Sequence, residues 1–544
     1  MAARAAAPSS VWDSSHVAAP NPPAKKAGQF ALWTLILAAC VANLNLTVAN
    51  VALPDIGREL DATQVELNMV AVGFTLGLAS SVLYLGAIGD RYGRKKLLLI
   101  GLALSIPTAA LAAWAPDATV LIAARFLGGV CAGMVYPTTL SIITALYIGK
   151  QRVMAIALWS GIGASVAAIG PAVVGWLLTF AWWGAGFAIS IPLAVLAFVL
   201  CCFLPRKTGD LSPSVDHVGG LLSVVMIAAL IAAITFAPTP GAGFVSVILA
   251  AIAVVAIVAF FLWERHTAAP LFDLHIARRR TFWVAALAGI IVFGSLMGAM
   301  FIGMQFLQNV LGYTPLEAGA GILPSAIAMI VLSPVAAVLI RRIGSRLTLA
   351  VGFVLVGIGF AAMFIWTENS PYVLVGSTYV LLGAGVAIAA APASRSIMAS
   401  VPPEDLGMGS ATNDLQRDLG GAIMQAVMGT LLVVRYSKDI TDAFNAAPAA
   451  EQSELSNQAV TLMTESFTGA EQVAQSVDPQ YSASLIEAAK QAFTDGANVA
   501  YASALVAVAI GLVIIVALYP RKQEEEQILA QYAETDAAPA PAAG

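Results

Sequence analysis

Fourteen stretches of the sequence are almost entirely apolar over about 18 to 29 residues each. A helix needs about 20 mostly apolar residues to cross a bilayer, so each stretch is long enough to span one. Only 11% of the residues are charged, against about 25% in a soluble domain. We therefore predict an all-α integral membrane protein with fourteen transmembrane helices, near residues 30–53, 66–88, 97–114, 119–147, 153–179, 184–204, 218–237, 244–263, 282–309, 316–340, 347–366, 371–398, 408–434 and 498–518.

Other classes of protein find little support in the sequence. The net charge of −4 gives no reason to expect nucleic-acid binding. The four cysteines lie within or at the end of apolar segments without metal-ligand spacing, so we expect neither a metal site nor a disulfide framework. The sequence has no GxxxxGK[ST] phosphate loop and no HExxH or GxSxG motif. We therefore expect no cofactor, no metal and no enzymatic activity.

The lysines and arginines are distributed unevenly between the two predicted faces of the membrane. With the N-terminus inside, the inner segments hold 20 of the 27, and the outer loops hold only Arg58, Arg435, Lys438 and Lys490. An excess of basic residues marks the cytoplasmic side. We therefore predict a multi-pass protein of a bacterial-type plasma (inner) membrane, with both termini cytoplasmic. Residues 1–28 and 521–544 are interpreted as cytosolic tails, the first disordered.

One predicted inner loop, GAIGDRYGRKK at residues 86–96, carries five charged residues between Asp90 and Lys96. Its basic residues could fix the orientation of the chain, but that explains neither Asp90 nor Gly93. Residues 336–346 read AAVLIRRIGSR and form a second copy, in which Gly344 aligns with Gly93. Two similar loops in corresponding places predict two homologous six-helix bundles, within residues 29–204 and 282–520. Residues 205–281 would then be linker loops and an inserted pair of helices.

The motifs of this chain resemble those of the 14-helix drug:proton antiporter group of the major facilitator superfamily. The resemblance covers residues 30–520 and rests on five segments, which are the loop at 86–96, LNLTVANVALP at 44–54, Arg125 with Gly129 and Gly133, the Gly163, Gly170, Pro171 and Gly175 set in helix 5, and residues 400–422. The resemblance implies a major facilitator fold of two six-helix bundles plus two inserted helices.

The resemblance also implies roles for individual residues. The gating loop would comprise Gly86, Asp90, Arg91, Gly93, Arg94 and Lys95, with Asp90 near residues 408–417 and Arg417 as a candidate partner. Arg125 would couple protons, although an arginine snorkelling to the interface is the alternative, and Glu66 is the best placed outer acid. The helix 5 set would shape the cavity and limit leak. The sequence departs from the family at Asn45, which replaces the usual acid, at Val174, which replaces a glycine, and at Gly128, which replaces a glutamine.

Ionisable residues inside a membrane are functional candidates by default. Asp414, Arg417 and Asp418 share one side of helix 13, either as an ion-paired helix start or in transport, and Arg395 is similarly ambiguous. Substrate contacts should be apolar or aromatic with a few polar groups. The candidates are Asn43, Asn45, Trp159, Phe293, Met304, Gln305 and Gln308. The polar outer loop at residues 435–497 is interpreted as a solvated cap with short amphipathic helices.

These observations predict a secondary transporter that exports small hydrophobic compounds or drugs by alternating access, driven by the proton gradient. One alternative is an exporter of a single endogenous metabolite or lipid, which Asn45 favours because a neutral or anionic substrate needs no acid there. Another is a membrane sensor or scaffold that transports nothing, against which the duplicated gating loop argues. The expected partners are the lipid bilayer, protons and a small-molecule substrate, and we expect a monomer.

Overall fold

The computed structural model describes residues 25–60, 62, 64–204, 215–237, 241–267, 270–402, 405–446, 456–465 and 467–537. Within these ranges all regular structure is α-helical, as expected where lipid cannot satisfy backbone hydrogen bonds. The helices are α1 (Lys25–Glu59), α2 (Gln64–Tyr92), α3 (Arg94–Ala113), α4 (Ala118–Leu146), α5 (Gly149–Leu178), α6 (Ala185–Ala188), α7 (Ser190–Cys202), α8 (His217–Phe236), α9 (Gly243–Glu264), α10 (Leu274–Ala277), α11 (Arg280–Asn309), α12 (Pro315–Gly321), α13 (Leu323–Met363), α14 (Tyr372–Ala399), α15 (Leu406–Ala446), α16 (Asn457–Glu465), α17 (Phe467–Ser476), α18 (Pro479–Leu518) and α19 (Lys522–Ala537). Most of the tail predicted for residues 1–28 lies outside the described residues.

The helices account for fourteen membrane crossings. Twelve segments of the described chain are long and apolar enough to span a bilayer. One of them, Leu316–Met363, has 48 residues and is broken at Gly344, where φ is 83°, so it makes two crossings. The 30-residue helix α5 carries no charged residue between Val153 and Leu178 and supplies the fourteenth crossing. The predicted all-α membrane fold is therefore confirmed.

Two bundles of helices form the body of the protein. Residues from α1 to α5 and α7 share one hydrophobic core, which includes Leu35, Leu98 and Leu140. Residues from α11 to α18 share another, which includes Phe306, Phe353 and Tyr501. The bundles meet along two seams, one where α2 packs against α15 and one where α5 packs against α12 and α13.

The inserted helices α8 and α9 form a hairpin on the first of these seams. Ile227 and Ile231 of α8 share a buried cluster with Leu83 of α2 and Ala411 of α15. The Tyr84 hydroxyl and Nδ1 of His217 lie 2.6 Å apart, which ties α2 to the start of α8. The hairpin therefore contacts both bundles, while most of α9 faces away from the protein.

A helical cap extends from the second bundle on the face opposite Gly93. The helices α15 and α18 have 41 and 40 residues, about 60 Å at 1.5 Å per residue, whereas the hydrocarbon core is about 30 Å thick. Where they leave the core, α16 and α17 pack against them and bury Phe467 against Phe493. Residues 447–455 and 466 of the predicted cap lie outside the described residues, but the rest has a buried interior of its own.

Candidate functional site

A small enclosed cavity lies between the two bundles, about midway along their length. Its volume is about 20 Å³, roughly the space of one water molecule. The cavity is lined from the first bundle by α1, α4 and α5 and from the second by α11 and α15. Three predicted substrate residues line it, Asn43, Trp159 and Phe293. They are joined by Tyr136, Ser160, Asn413, Asp414 and Arg417.

The charged groups of this cavity all come from α15. Asp414 is 1% exposed, and neither of its carboxylate oxygens has a hydrogen-bond partner among the described residues. One turn further along, Arg417 Nε lies 3.4 Å from Asp418 Oδ1, and its guanidinium carbon lies 4.3 Å from the centre of the Tyr136 ring. Arg417 Nη1 also reaches Asn43 Oδ1 across the bundle interface, at a long 3.5 Å. A buried carboxylate that accepts no hydrogen bond is costly even with Arg417 one turn away, so Asp414 is a candidate for binding a proton or a hydrogen-bond donor.

The bundles touch on both sides of the cavity. Toward the Gly93 face, the Ser410 hydroxyl of α15 donates a 2.7 Å hydrogen bond to the Pro137 carbonyl of α4. Toward the opposite face, Ser165 of α5 donates to the Ala326 carbonyl of α13 at 3.3 Å. Level with the cavity, a Cβ on Gly161 would lie only 1.8 Å from Ser333 Oγ, so α5 and α13 are in close contact beside it as well. The structure is therefore closed at both ends of the cavity.

Arg125 lies in a second cavity, of about 30 Å³, which is enclosed within the first bundle. The side chain is 2% exposed and donates to the Asn45 carbonyl at 2.6 Å and to the Val70 carbonyl at 3.2 Å. Its guanidinium carbon also lies 4.9 Å from the centre of the Phe74 ring. No carboxylate of a described residue lies within 4.0 Å of it. Because Arg125 is fully buried, the alternative of an arginine snorkelling to the interface is wrong.

The predicted gating loop forms a tight turn between α2 and α3. Gly93 adopts a φ of 106°, a backbone conformation that residues other than glycine rarely take. Asp90, at the end of α2, pairs with Arg94 Nε at 2.8 Å. Lys95 Nζ donates to the carbonyls of Cys202, at 2.7 Å, and Leu204, which ties the loop to the end of α7. Gly86 is buried in α2 and Arg91 is partly exposed.

The predicted pairing of Asp90 with Arg417 is wrong. Among the described residues, Arg417 forms its ion pair with Asp418. The physical reason is depth, because Arg417 follows the start of α15 by 11 residues, which is about 16 Å along a helix. Asp90 lies instead at the end of α2, the helix whose Leu83 packs with Ala411 of α15. Arg417 therefore belongs to the central cavity and not to the gating loop.

The glycine and proline set of helix 5 lies along the second seam. The inward side of Gly163 faces Asn43, and a Cβ there would lie 3.2 Å from Asn43 Nδ2. Gly170 is buried, and Pro171 lies inside α5 without interrupting it. A Cβ on Gly175 would lie 3.8 Å from the Leu316 Cα of α12. The set therefore lets α5 approach both α1 and the second bundle.

Four predicted substrate residues do not line the central cavity. Asn45 lines the Arg125 cavity instead, because two residues along a helix turn a side chain by about 200° from Asn43. Met304 packs partly buried against the core of the second bundle, Gln305 donates to the Phe301 carbonyl at 3.2 Å, and Gln308 is partly buried. Glu66 lies in the first turn of α2, one turn before Val70, and is partly exposed.

Sequence reasoning missed Tyr136 and Asn413 as cavity residues. Tyr136 follows Arg125 by 11 residues, close to three full turns, so both lie on nearly the same side of α4. That spacing was a usable signal. Asn413 accepts a 2.9 Å hydrogen bond from Gln416 and precedes Asp414, but nothing in the sequence singled it out.

Two helical bundles that close around a charged cavity, built from helices long and apolar enough to cross a membrane, are the architecture of a membrane transporter. The profile of the Major Facilitator Superfamily matches residues 35–425, and the chain belongs to this family.

Curated relatives align over most of the chain. The chain is 30% identical to the multidrug efflux pump LfrA of Mycolicibacterium smegmatis over 490 residues, which covers 90% of this chain and 95% of LfrA. It is 28% identical to the tetracenomycin C resistance and export protein of Streptomyces glaucescens over 504 residues, which covers 91% and 93%. The crystal structure of the human organic anion transporter MFSD10 (TETRAN) shares the fold, with a TM-score of 0.58 at 14% identity, and covers 91% of this chain and 100% of that one.

Proposed function

We propose that the protein exports small, partly hydrophobic drug-like molecules from the cell in exchange for protons, by alternating access. The observation that carries the proposal is Asp414, a carboxylate that accepts no hydrogen bond from any described residue, in an enclosed cavity between two bundles that touch on both sides of it. The aromatic lining from Tyr136, Trp159 and Phe293 suits a molecule with apolar or aromatic surface.

Exchange follows from competition for Asp414. In the closed cavity the carboxylate can be satisfied by a proton or by a substrate group that donates hydrogen bonds, but not by both at once. A substrate that binds from one side displaces the proton, and a proton that arrives from the other side displaces the substrate. Because ligand sites usually enclose 300 Å³ or more, the bundles must separate before a substrate can enter the 20 Å³ cavity.

Asp414 is also proposed to take the role of the acid that is absent from position 45. Helix 1 carries Asn45 where the drug:proton antiporter pattern has a carboxylate, and its side chain donates to the Val41 carbonyl at 3.0 Å. An amide cannot take up and release a proton, so we propose that the exchanging group is a carboxylate elsewhere in the protein. Asp414 of α15 provides that group from the second bundle. Arg125, enclosed in the first bundle, is proposed to couple proton movement to rocking of the bundles.

The direction and the substrate class are proposed from the relatives and from the charge distribution. LfrA is named a multidrug efflux pump, and another relative, SmvA of Salmonella typhimurium, 29% identical over 480 residues, is named a methyl viologen resistance protein. The excess of basic residues on the Gly93 face orients that face to the cytoplasm of a plasma membrane, with both termini inside. Export of one endogenous compound is the second candidate, because Asn45 removes a charge that would attract cations.

The proposal is tested in proteoliposomes that contain the purified protein, a lipophilic dye and an imposed pH gradient. We expect wild type to move the dye with the gradient, and Asp414→Asn to lose at least about tenfold of that gradient-driven flux while it still binds the dye. Asp442→Asn is the matched control, since Asp442 lies on the same helix but is exposed in the cap. Wild-type flux that ignores the gradient, or equal flux in both variants, would refute the proposal.

A further inference from the structure

The two loops that the sequence relates to one another share a backbone conformation. Gly93 has φ 106° and Gly344 has φ 83°, so each loop turns at a glycine in the same left-handed region. The residue two positions after each glycine also makes an equivalent contact. Lys95 donates to the carbonyls of Cys202 and Leu204 at the end of α7, and Arg346 donates to the Val516 carbonyl near the end of α18. The two bundles thus anchor their loops in the same way.

The loops differ in their acidic residue. In the first loop Asp90, three residues before the glycine, pairs at 2.8 Å with Arg94, one residue after it. In the second loop the same two positions are Arg341 and Ser345. The second loop therefore has no carboxylate at the position of Asp90 and no basic residue at the position of Arg94.

A residue far along the chain fills the missing position. The carboxylate of Glu525, on the C-terminal helix α19, accepts a 2.6 Å hydrogen bond from the Ser345 hydroxyl and a 3.3 Å one from its backbone N–H. Arg395 of α14 supplies the base, with Nη1 at 3.0 Å from Glu525 Oε1 and at 2.9 Å from the Ser345 hydroxyl. The Tyr519 hydroxyl donates to the same carboxylate at 3.3 Å. Glu525 is only 2% exposed, so a buried and fully paired acid replaces the one that the loop lacks.

The rest of α19 is held in place along the same side of the helix. Lys522 Nζ donates to the Arg341 carbonyl of the loop at 2.7 Å. At the other end of α19, Asp536 receives two hydrogen bonds from Arg279, at 2.5 and 3.0 Å, and the Tyr532 ring stacks on the same guanidinium. These contacts are spaced by three, four or seven residues, as one face of a helix requires. Residues 522–537, within the predicted cytosolic tail, thus form a helix that is docked on the second bundle.

We propose that α19 completes the second gating loop, and that Glu525 is a positioning residue for transport. The carboxylate fixes Ser345 and Arg395, and through them the α13 kink and the end of α14, so that the Gly93 face of the second bundle moves as one body. Asp90 and Arg94 have this role within the first loop itself. The role of Glu525 in turnover rests on the proposed transport function, whereas its contact with the loop does not.

The contact is tested by limited trypsin digestion of the full-length protein in membranes, with a C-terminal tag to report cleavage at Arg521 or Lys522. We expect Glu525→Gln to release the tag about tenfold faster or more, because the charged acceptor of three side chains is lost. Glu526→Gln is the matched control, since the adjacent Glu526 carries the same charge and is exposed. Glu525→Asp keeps the charge and is expected to restore protection in large part, which separates the role of the carboxylate from a failure to fold. Equal release from wild type and Glu525→Gln would overturn the proposal.

The positioning role is tested by substrate transport in proteoliposomes at several substrate concentrations. We expect Glu525→Gln to lower the maximal rate about fivefold or more while the half-saturating concentration stays unchanged, because the cavity itself is intact. Faster proteolysis with an unchanged maximal rate would overturn the positioning role. If wild type moves no substrate, the proposed function has failed, and the proteolysis still decides whether α19 completes the loop.

Discussion

Gly161→Ala places a methyl group at a close contact between the bundles. A Cβ at position 161 would lie 1.8 Å from Ser333 Oγ and 2.6 Å from Ser333 Cβ, and real Cβ contacts are not found below 3.0 Å. Rotating the serine hydroxyl relieves the first clash but not the second, so α5 and α13 must move apart. Overpacking of this kind costs about 1 to 3 kcal/mol. We expect this cost to fall on the closed state, because moving α5 away from α13 removes the contact.

We therefore expect Gly161→Ala to shift the equilibrium away from the closed state by about 5- to 150-fold. The assay is the rate of maleimide labelling of Asn413→Cys, which lines the cavity, in a chain without the four native cysteines. Ser333→Gly should restore slow labelling, since it removes both clashing atoms. Gly357→Ala is the control, because its nearest contact would be an ordinary 3.7 Å. Labelling of Gly161→Ala at the wild-type rate would refute the argument that these helices meet in the closed state.

Two further predictions concern the first bundle. Lys95→Gln should lower the free energy of unfolding in denaturant by about 1.5 to 3 kcal/mol, because the hydrogen bonds from a charged donor to the Cys202 and Leu204 carbonyls are lost. Lys96→Gln, at an exposed position, should change it little. Equal effects of the two substitutions would contradict the role assigned to Lys95. Arg125→Met should fold, because it removes a buried charge with no carboxylate beside it, but should lose gradient-driven transport by about tenfold or more; retention of that flux would remove Arg125 from proton coupling.

The sequence was sufficient for the architecture because lipid leaves few choices. A long apolar run must become a helix, and the repeated glycine loops at Gly93 and Gly344 divide those helices into two bundles. It also identified Arg125 and Asp414 as buried ionisable residues, since their cost inside a membrane makes them conspicuous.

The sequence could not predict how deep in the protein a residue lies or which neighbouring helix its side chain faces. Gln308 follows the cavity residue Phe293 by 15 residues on α11, which places it about 22 Å further along the helix and out of reach of the cavity. Arg417 lies on α15, the same helix as the region expected near Asp90, but 11 residues past the start of that helix. Glu525 lies in the run EEE, which is typical of a solvated helix, and only its side of α19 meets the second bundle. Each of these depends on how helices are packed against one another.

The α8–α9 hairpin makes the two seams between the bundles differ in their exposure to the surrounding lipid. Two seams separate the bundles, and the hairpin stands outside one of them, with Ile231 against Leu83 of α2 and Ala411 of α15. Among the described residues, α8 packs against both α2 and α15, whereas neither inserted helix packs appreciably against α5 or α13. If a hydrophobic molecule enters from the bilayer, we therefore expect it to pass between α5 and α13, where the inserted helices do not cover the gap. In that case, a helix pair that lines no part of the cavity would decide the side from which the molecule reaches it.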